Sequence, residues 1–274
     1  MITPHHRYYC AVLGTPITHS LSPFIQRAFA AQFQLDLVYE RFEVDLVELP
    51  IRMQQLQAQG YRGLNLTAPL KHAAYLLATQ WQASAARTQA ANTVIFRDQY
   101  ILAANTDTRG FARDCLSDCS WPVSGKRCLI LGAGGAVAGI LPALMAAGMA
   151  ITIANRHVGR AQALAQFYGG IDTCELALLC GTYDLIINAL PTSAWPQVGE
   201  LLQALDCRNS AIYDLSYDLT QLTPCLTYFA KQDVTQLRDG FGMLCYQGAL
   251  SFQQWFAYVP KVCVKALRQL AISV

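Results

Sequence analysis

The sequence predicts an α/β protein with an N-terminal α/β domain built on a mixed sheet and a second, Rossmann-type doubly wound domain. Three observations predict this class. Short apolar runs alternate with helix-like segments along the whole chain, a glycine-rich turn (132–136) directly follows one of those runs, and 274 residues suffice for two domains of ordinary size.

The first hundred residues alternate predicted strands and helices. Pro23 is well placed at a helix start, because its fixed φ suits the first helical turn. Two apolar runs flank the polar residues 97–99 and predict a hairpin, so the first sheet is expected to be mixed. The predicted elements are strand 8–13, helix 23–33, strand 37–42, helix 46–59, strand 63–66 and hairpin strands 94–96 and 100–102.

The second domain is predicted to begin its sheet near Lys126, with strands 127–131, 150–154, 185–188 and 211–214. Residues 128–154 carry no charge and imitate a membrane span, but glycines and Pro142 divide them into strand, turn, helix, turn and strand. Helices are expected at 106–117 and, with a break at Pro260, at 243–270.

Composition narrows the function classes. The formal charge is +2 and no basic run occurs, which argues against nucleic acid or an anionic membrane as the main partner. The first seven residues lack the apolar core of a signal peptide, so a cytoplasmic protein is expected. The ten cysteines show no CxxC pair and no metal-ligand spacing; reduced, mostly buried thiols are expected, and no metal site.

The segment from Asn65 to Lys71 follows a predicted strand and is expected to hold Asn65, Thr67 and Lys71 in a defined arrangement. Pro69 fixes its own φ and favours an extended residue before it. A lysine can exchange a proton, whereas an arginine stays charged, so Lys71 is a candidate acid–base group. The alternative is a solvated lysine on a surface loop.

The turn at Gly132, Gly134, Gly135 and Ala136 lies between an apolar strand and a helix. Glycines at such a turn let backbone N–H groups approach a pyrophosphate, which predicts a dinucleotide site, although Val137 occupies the third glycine position of the usual pattern. A plain tight turn is the alternative.

The next predicted strand ends in Asn155, Arg156 and His157, with Arg160 one turn later. A carboxylate there would favour NAD, but no Asp or Glu occurs between positions 118 and 172, and two arginines suit the 2′-phosphate of NADP. We therefore expect NADP, against the alternative of two solvated arginines at a helix start.

Three further polar segments are candidates for binding a small hydroxylated or carboxylated molecule. Ser20 and Ser22 precede a helix, Asn92 precedes a strand, and Asp107 follows one. Each has an ordinary alternative: helix capping for the serines and the aspartate, and turn chemistry for Asn92.

Together these segments resemble the shikimate dehydrogenase family over almost the whole chain. The motifs that carry the resemblance are SLSP at 20–23, NLTAPLK at 65–71, ANT at 91–93, NTD at 105–107, GAGGA at 132–136, NR with a later R at 155–160, and DGFGM at 239–243 followed by Gln247. The resemblance implies an N-terminal substrate lobe, a Rossmann lobe, and NADPH-dependent reduction of 3-dehydroshikimate to shikimate in aromatic amino acid biosynthesis.

The resemblance also implies residue roles. Lys71 and Asp107 would be the catalytic pair. Substrate would be bound by Ser20, Ser22, Thr67, Asn92 and Gln247, and the cofactor by Gly132, Gly134, Gly135, Ala136, Asn155, Arg156, Arg160, Gly240 and Met243. Residues 1–105 with 250–274 would form the substrate-binding and catalytic domain, and residues 106–249 the NADP-binding domain.

This sequence departs from the family pattern at three positions. Thr108 follows the NTD aspartate where glycine is usual, His157 replaces a threonine, and Leu190 replaces the threonine of an Asn-Ala-Thr segment. These changes bear on cofactor contacts more than on the reaction. A quinate/shikimate dehydrogenase using NAD or NADP is the alternative enzyme, and a silent binding protein is disfavoured because Lys71 and Asp107 are present. A monomer or homodimer is expected.

Overall fold

The computed structural model describes residues 6–119, 121 and 124–273. The described residues divide into two units: unit 1 comprises those of Met1–Gly110 and Leu244–Val274, and unit 2 is Phe111–Met243. The boundary predicted at 105/106 lies just before the helix Asp107–Phe111, and the one predicted at 249/250 lies within the helix Phe241–Phe256. The two units divide inside these same helices, after Gly110 and after Met243.

Unit 1 alternates strands and short helices, as the apolar periodicity predicts. In chain order it contains β1 (Tyr8–Gly14), α1 (Ser22–Ala31), β2 (Leu37–Glu43), α2 (Leu49–Ala58), β3 (Gly63–Leu66), α3 (Lys71–Leu77), β4 (Gln80–Trp81), α4 (Ala83–Thr88), β5 (Thr93–Phe96), β6 (Ile101–Ala104) and α5 (Asp107–Phe111). The second helix begins three residues later than predicted, at Leu49, next to a proline in its first turn.

The sheet of unit 1 has the order β2-β1-β3-β5-β6-β4. Strands β1, β2 and β3 are parallel, whereas β5 is antiparallel to both β3 and β6, which confirms the predicted mixed sheet and hairpin. Because β5 runs the opposite way, the ends of β1, β3 and β6 and the beginning of β5 lie at one edge.

Both faces of this sheet are covered. One carries an apolar cluster that includes Leu13, Leu64 and Val94. A close approach by Trp255 requires glycine at position 63, because a Cβ there would lie 2.2 Å from the indole nitrogen. That nitrogen donates to the carbonyl oxygen of Val94 over 3.0 Å, which fixes the helix that carries Trp255 against the sheet.

Unit 2 begins with a π-helix (Ala112–Asp118), where an α-helix through 117 is predicted. Then follow β7 (Arg127–Leu131), α6 (Gly135–Ala146), β8 (Ala150–Asn155), α7 (Val158–Tyr168), β9 (Ile171–Glu175), β10 (Gly181–Thr182), β11 (Leu185–Asn188), α8 (Trp195–Leu201), β12 (Leu205–Asp206), β13 (Ala211–Asp214), α9 (Pro224–Ala230) and β14 (Gln236–Asp239). The last helices are α10 (Phe241–Phe256) and α11 (Val264–Ile272), separated around Pro260 as predicted. All of α11, and α10 from Leu244 onward, belong to unit 1.

The main sheet of unit 2 has the order β14-β13-β11-β7-β8-β9, and every pair is parallel. This is a doubly wound sheet, and the uncharged stretch 128–154 is its β7–α6–β8 unit. The sequence pattern does not predict the edge strands β9 and β14, because edge strands are covered less completely and these two lack a continuous apolar run.

Within the described part of the chain, no helix is long and apolar enough to cross a membrane. The ten cysteines form no disulfide, and six of them are buried: Cys10, Cys115, Cys128, Cys207, Cys225 and Cys245. The prediction that most of the thiols are buried is confirmed.

Candidate active site and dinucleotide cradle

Strand order places the polar segments of unit 1 at one edge of its sheet. Leu13 pairs with Leu66 where the parallel strands β1 and β3 end, and Thr93 pairs with both Asn65 and Ala104 where β5 begins and β6 ends. The segments that follow or precede these positions therefore meet, although they are far apart in sequence.

Lys71 and Asp107 form an ion pair, with Nζ 2.7 Å from Oδ2. Lys71 is the first residue of α3, and its side chain is 16% exposed, while that of Asp107 is 5% exposed. Lys71 is therefore not the solvated surface lysine of the alternative interpretation. Asp107 is the first residue of α5, and its carboxylate accepts hydrogen bonds from side chains. Its own N–H donates to Oδ1 of Asn105.

Asn92 holds the other oxygen of Asp107. Its Nδ2 lies 2.7 Å from Oδ1 of Asp107, and its Oδ1 accepts the backbone N–H of Thr106 over 2.9 Å. A carboxylate can only accept and a backbone N–H can only donate, so these two partners fix which way the amide points. Asn92 is 2% exposed, and turn chemistry does not account for it.

Gln247 joins this group from α10. Its Oε1 lies 3.1 Å from Nδ2 of Asn92, and its Nε2 donates to the carbonyl oxygen of Leu244. Thr67 lies just beyond β3, where its N–H donates to Leu13 and its carbonyl accepts from Leu70. The structure thus brings Lys71, Asp107, Asn92 and Gln247 into one hydrogen-bonded cluster, which we call the proton-transfer cluster.

Asn65 lies in the strand predicted at 63–66, and not in the loop that is also expected to hold it with Thr67 and Lys71. It lies inside β3, is 5% exposed, and accepts a hydrogen bond from the Tyr39 hydroxyl over 2.7 Å. Its Nδ2 donates to the carbonyl oxygen of Asn92 and to Ser251. The observed strand has the predicted bounds, 63–66, and Asn65 is part of its buried interior.

Ser20 and Ser22 surround the start of α1, after the end of β1. The N-cap position of α1 is Leu21 and Ser22 is the first helical residue, so Ser22 does not occupy the capping position. Oγ of Ser20 accepts the N–H of Ser22 over 3.3 Å. Capping therefore does not explain Ser22, which is 8% exposed.

The glycine turn forms an open cradle at the start of α6. Gly132 has φ of +107°, which disfavours any side chain, and its N–H donates to the carbonyl oxygen of Ala154. A Cβ at Gly134 or Gly135 would meet no atom within 4 Å, and no side chain caps the helix. Free space and uncapped N–H groups at a helix N-terminus suit a pyrophosphate. Ala136 follows in the first turn, and Val137 is buried in the core.

The arginines expected to read the ribose lie just after β8. Asn155 ends the strand, and its Nδ2 donates to the carbonyl oxygen of His157. Arg156 and Arg160 are exposed at the start of α7, where the Arg160 N–H bonds the His157 carbonyl. Cations at a helix start oppose the helix dipole, so a bound anion would relieve an unfavourable arrangement.

The segment at Gly240 and Met243 is held by unusually close packing. A Cβ on Gly240 would lie 2.4 Å from the carbonyl oxygen of Leu215, and one on Gly242 would lie 1.9 Å from Oδ1 of Asp114. Asp114 is fully buried and accepts from Tyr213 over 2.6 Å and from Arg238. The close approach of this buried carboxylate leaves no room for a side chain at position 242.

Sequence reasoning missed four residues of the polar interior next to the proton-transfer cluster: Thr93, Thr106, Asn105 and Ser251. Thr93, Asn105 and Thr106 lie inside the ANT and NTD motifs, so their place in these motifs was a signal for them. Ser251 gave no signal, because a serine four residues after Gln247 on an apolar helix is unremarkable.

Two family models match the chain. Residues 12–94 match the substrate binding domain of shikimate dehydrogenase, and residues 116–201 match shikimate / quinate 5-dehydrogenase. The first match falls in unit 1 and the second in unit 2.

Relatives extend the similarity over most of the chain. It is 39% identical to a shikimate dehydrogenase (NADP(+)) of Chromobacterium violaceum, covering 92% of this chain and 93% of the relative. It is 38% identical to one of Haemophilus ducreyi, covering 95% of both. A solved structure of the Thermus thermophilus enzyme in complex with NADP(H) and shikimate matches with a TM-score of 0.82 and 33% identity, covering 97% of this chain and 99% of the other.

Proposed function

Because this chain belongs to the shikimate dehydrogenase family, we propose that it is an NADP-dependent oxidoreductase that interconverts 3-dehydroshikimate and shikimate. The ion pair between Lys71 and Asp107 carries the proposal. A carbonyl that is reduced to a hydroxyl needs a proton donor at its oxygen, and the Lys71 ammonium is a shielded donor held in one place.

Lys71 would give its proton to the substrate oxygen during reduction and take it back from the hydroxyl during oxidation. Asp107 would position the ammonium and stabilise its charge, because its Oδ2 lies 2.7 Å from Nζ. Asn92 occupies the other carboxylate oxygen, which leaves Lys71 as the group of the pair free to exchange a proton with substrate.

The remaining contacts are proposed from position and chemistry. Thr67, Asn92 and Gln247 would hold ring hydroxyls, because they present a hydroxyl and two amides around the same sheet edge. Ser20 and Ser22 would hold the substrate carboxylate, since hydroxyls before a helix start can donate to an anion. Unit 1 would thus be the substrate-binding and catalytic domain.

Unit 2 fits a dinucleotide. The open cradle at Gly132, Gly134, Gly135 and Ala136 would hold the pyrophosphate, and Asn155, Arg156 and Arg160 would hold the 2′-phosphate of the ribose. NADPH, when bound, supplies the hydride for carbonyl reduction. Gly240 and Met243 would lie near the nicotinamide, in a segment packed too closely to admit a side chain at position 240 or 242.

We further propose that the protein works in the cytoplasm, in the biosynthesis of aromatic amino acids, as a monomer or homodimer. Ten cysteines without a disulfide suit a reducing compartment. Among the described residues, no group of His, Cys, Asp or Glu could hold a metal ion, and the proposed chemistry uses none.

The proposal is tested by initial rates with shikimate or quinate, each with NADP or NAD. We expect the highest kcat/KM for shikimate with NADP. One matched family model covers shikimate and quinate enzymes alike, so quinate is the competing substrate. A preference for quinate or for NAD would support the quinate-type alternative, and no turnover of either acid would refute the proposal.

A further inference from the structure

Two fully buried hydroxyl groups lie behind the proton-transfer cluster without a role in the proposed reaction. Thr93 begins β5, Ser251 lies on α10, and both are 0% exposed. Their oxygens are 2.7 Å apart, and either could be the donor. A buried polar group costs free energy unless it is hydrogen-bonded, so the direction of this bond is set by its neighbours.

Neighbours on one side fix the direction of Asn65. Its Nδ2 faces the carbonyl oxygen of Asn92 at 3.0 Å, and a carbonyl can only accept. Its Oδ1 must therefore accept from the Tyr39 hydroxyl. The second hydrogen of Nδ2 goes to Oγ of Ser251, which lies 3.0 Å away.

Neighbours on the other side fix the direction of Asn92, because Nδ2 faces the Asp107 carboxylate and Oδ1 faces the N–H of Thr106. Thr93 can therefore donate to Oδ1 of Asn92, over 2.9 Å. With its only hydrogen used there, Thr93 accepts from Ser251, and this contact of 2.7 Å is shorter than the 3.1 Å from Ser251 to the Gln247 carbonyl.

We propose that these groups form a one-way hydrogen-bond chain that ends on the Asp107 carboxylate, and that Thr93 and Ser251 are positioning residues for the proposed reaction. We call this chain the relay. It runs, from donor to acceptor, through Tyr39, Asn65, Ser251, Thr93, Asn92 and Asp107.

The relay holds Asn92 so that its N–H points at Asp107. Hydrogen bonds aligned in one direction polarise one another. Each donor along the relay therefore strengthens the last hydrogen bond, from Asn92 to the Asp107 carboxylate. The Asp107 carboxylate is then held by Lys71 on one oxygen and by the relay on the other. This inference rests on the proposed function, because it assigns the relay a part in the same proton transfer.

The test compares shikimate oxidation by wild type, Thr93→Val, Thr93→Ser and Ser251→Ala. Thr93→Val removes the hydroxyl at nearly constant volume and is expected to lower kcat about 3- to 30-fold. Thr93→Ser keeps the hydroxyl and should keep at least half of the wild-type kcat. Ser251→Ala should lower kcat less than Thr93→Val does, because Nδ2 of Asn65 also lies 3.3 Å from Oγ1 of Thr93 and can donate to it directly. Ser210→Ala, a buried serine of unit 2 that bonds the Tyr183 carbonyl, is the matched control and should keep its kcat.

A second readout does not depend on turnover. The side-chain amide protons of Asn92 in ¹⁵N-labelled protein should exchange with water about tenfold faster in Thr93→Val than in wild type. If Thr93→Val does not fold, Tyr39→Phe, which removes only the first donor, should raise that exchange rate to a smaller extent.

Either of two results overturns the relay: a folded Thr93→Val with kcat within twofold of wild type, or Thr93→Ser as impaired as Thr93→Val. If either result is found and the wild type turns over shikimate, the relay fails and the proposed function stands. If wild type does not turn over shikimate, the proposed function fails, and amide exchange alone decides whether the relay exists.

Discussion

The side-chain amide of Asn92 donates to Oδ1 of Asp107 over 2.7 Å. The other carboxylate oxygen is taken by Lys71 at the same distance. Asp107 therefore has a donor on each oxygen, which suits a carboxylate that orients an ammonium. The two members of the proposed catalytic pair therefore have different roles: Lys71 exchanges the proton, and Asp107 orients Lys71.

Lys71→Ala should lower kcat by roughly 10²- to 10⁴-fold, the range for loss of a general acid–base group. The KM for shikimate should change much less, because the other polar contacts remain. Lys71→Arg should not restore kcat, since a guanidinium does not release its proton. Initial rates and a thermal melt on the same samples check this. A variant that keeps more than half of the wild-type kcat would return Lys71 to a structural role.

Asp107→Asn should lower kcat and also destabilise the protein. In wild type, Asn92 and Lys71 each donate to one oxygen of the Asp107 carboxylate. The amide that replaces this carboxylate in the variant has only one acceptor oxygen, so one of these two donors loses its acceptor. Leaving a buried donor without its acceptor costs roughly 1–3 kcal/mol, and this should appear as a lower urea midpoint. Asp206→Asn, which changes an exposed aspartate of unit 2, is the control. Equal urea midpoints for Asp107→Asn and wild type would contradict the buried geometry.

Ser22→Ala should raise the KM for shikimate about 5- to 100-fold without a large change in Tm, because an unpaired carboxylate oxygen costs roughly 1–3 kcal/mol. Ser22 is the first residue inside α1, and Leu21 occupies the N-cap position. Thr223→Ala is the opposite control, because Oγ1 of Thr223 caps α9 by accepting the Leu226 N–H. That variant should have a lower Tm and an unchanged KM for shikimate. A fall in Tm with unchanged KM for Ser22→Ala would show that Ser22 is structural.

Arg160→Ala should raise the KM for NADP about ten- to a hundredfold, because a charge-assisted hydrogen bond is worth roughly 1.5–3 kcal/mol. The KM for NAD should stay nearly the same. Arg208→Ala is the matched control, since Arg208 is an exposed arginine of unit 2 that pairs with Asp206. Equal effects on both cofactors would remove Arg160 from the phosphate site.

Tyr168→Phe should cost roughly 1 kcal/mol of unfolding free energy. Pro142 inside α6 has no N–H, so the carbonyl oxygen of Ala138 loses its helical donor, and the Tyr168 hydroxyl donates to it over 3.0 Å. In a Pro142→Ala background the helix regains that donor, and the cost of Tyr168→Phe should shrink. Urea unfolding of the four proteins measures this coupling, and a cost that is unchanged in that background would contradict it.

The same hydroxyl gives a pH dependence. Burial raises the pKa of Tyr168 to about 12, above the value near 10 of an unfolded tyrosine. A raised folded pKa means that the contribution to stability is complete below about pH 10 and is lost as the pH rises through about 12. Urea midpoints of wild type should therefore fall more steeply over that interval than those of Tyr168→Phe.

The sequence by itself determined the fold class and most of the strands. Apolar runs predicted β7, β11 and β13, because the interior of a strand buried on both faces is mostly apolar. The glycine turn after β7 was also visible, since a positive φ at Gly132 leaves little choice of residue. These features depend on local backbone geometry and on burial, which a sequence records directly.

Only the tertiary structure decided which polar groups meet. The motifs named Lys71, Asn92 and Asp107 one by one, but a reversed strand, β5, brings them to one sheet edge. Ser251 lies 186 residues from Asn65, to which it bonds, and nothing local in the sequence marks it. A hydrogen bond depends on distance and direction between atoms, and these are fixed by strand order and helix packing.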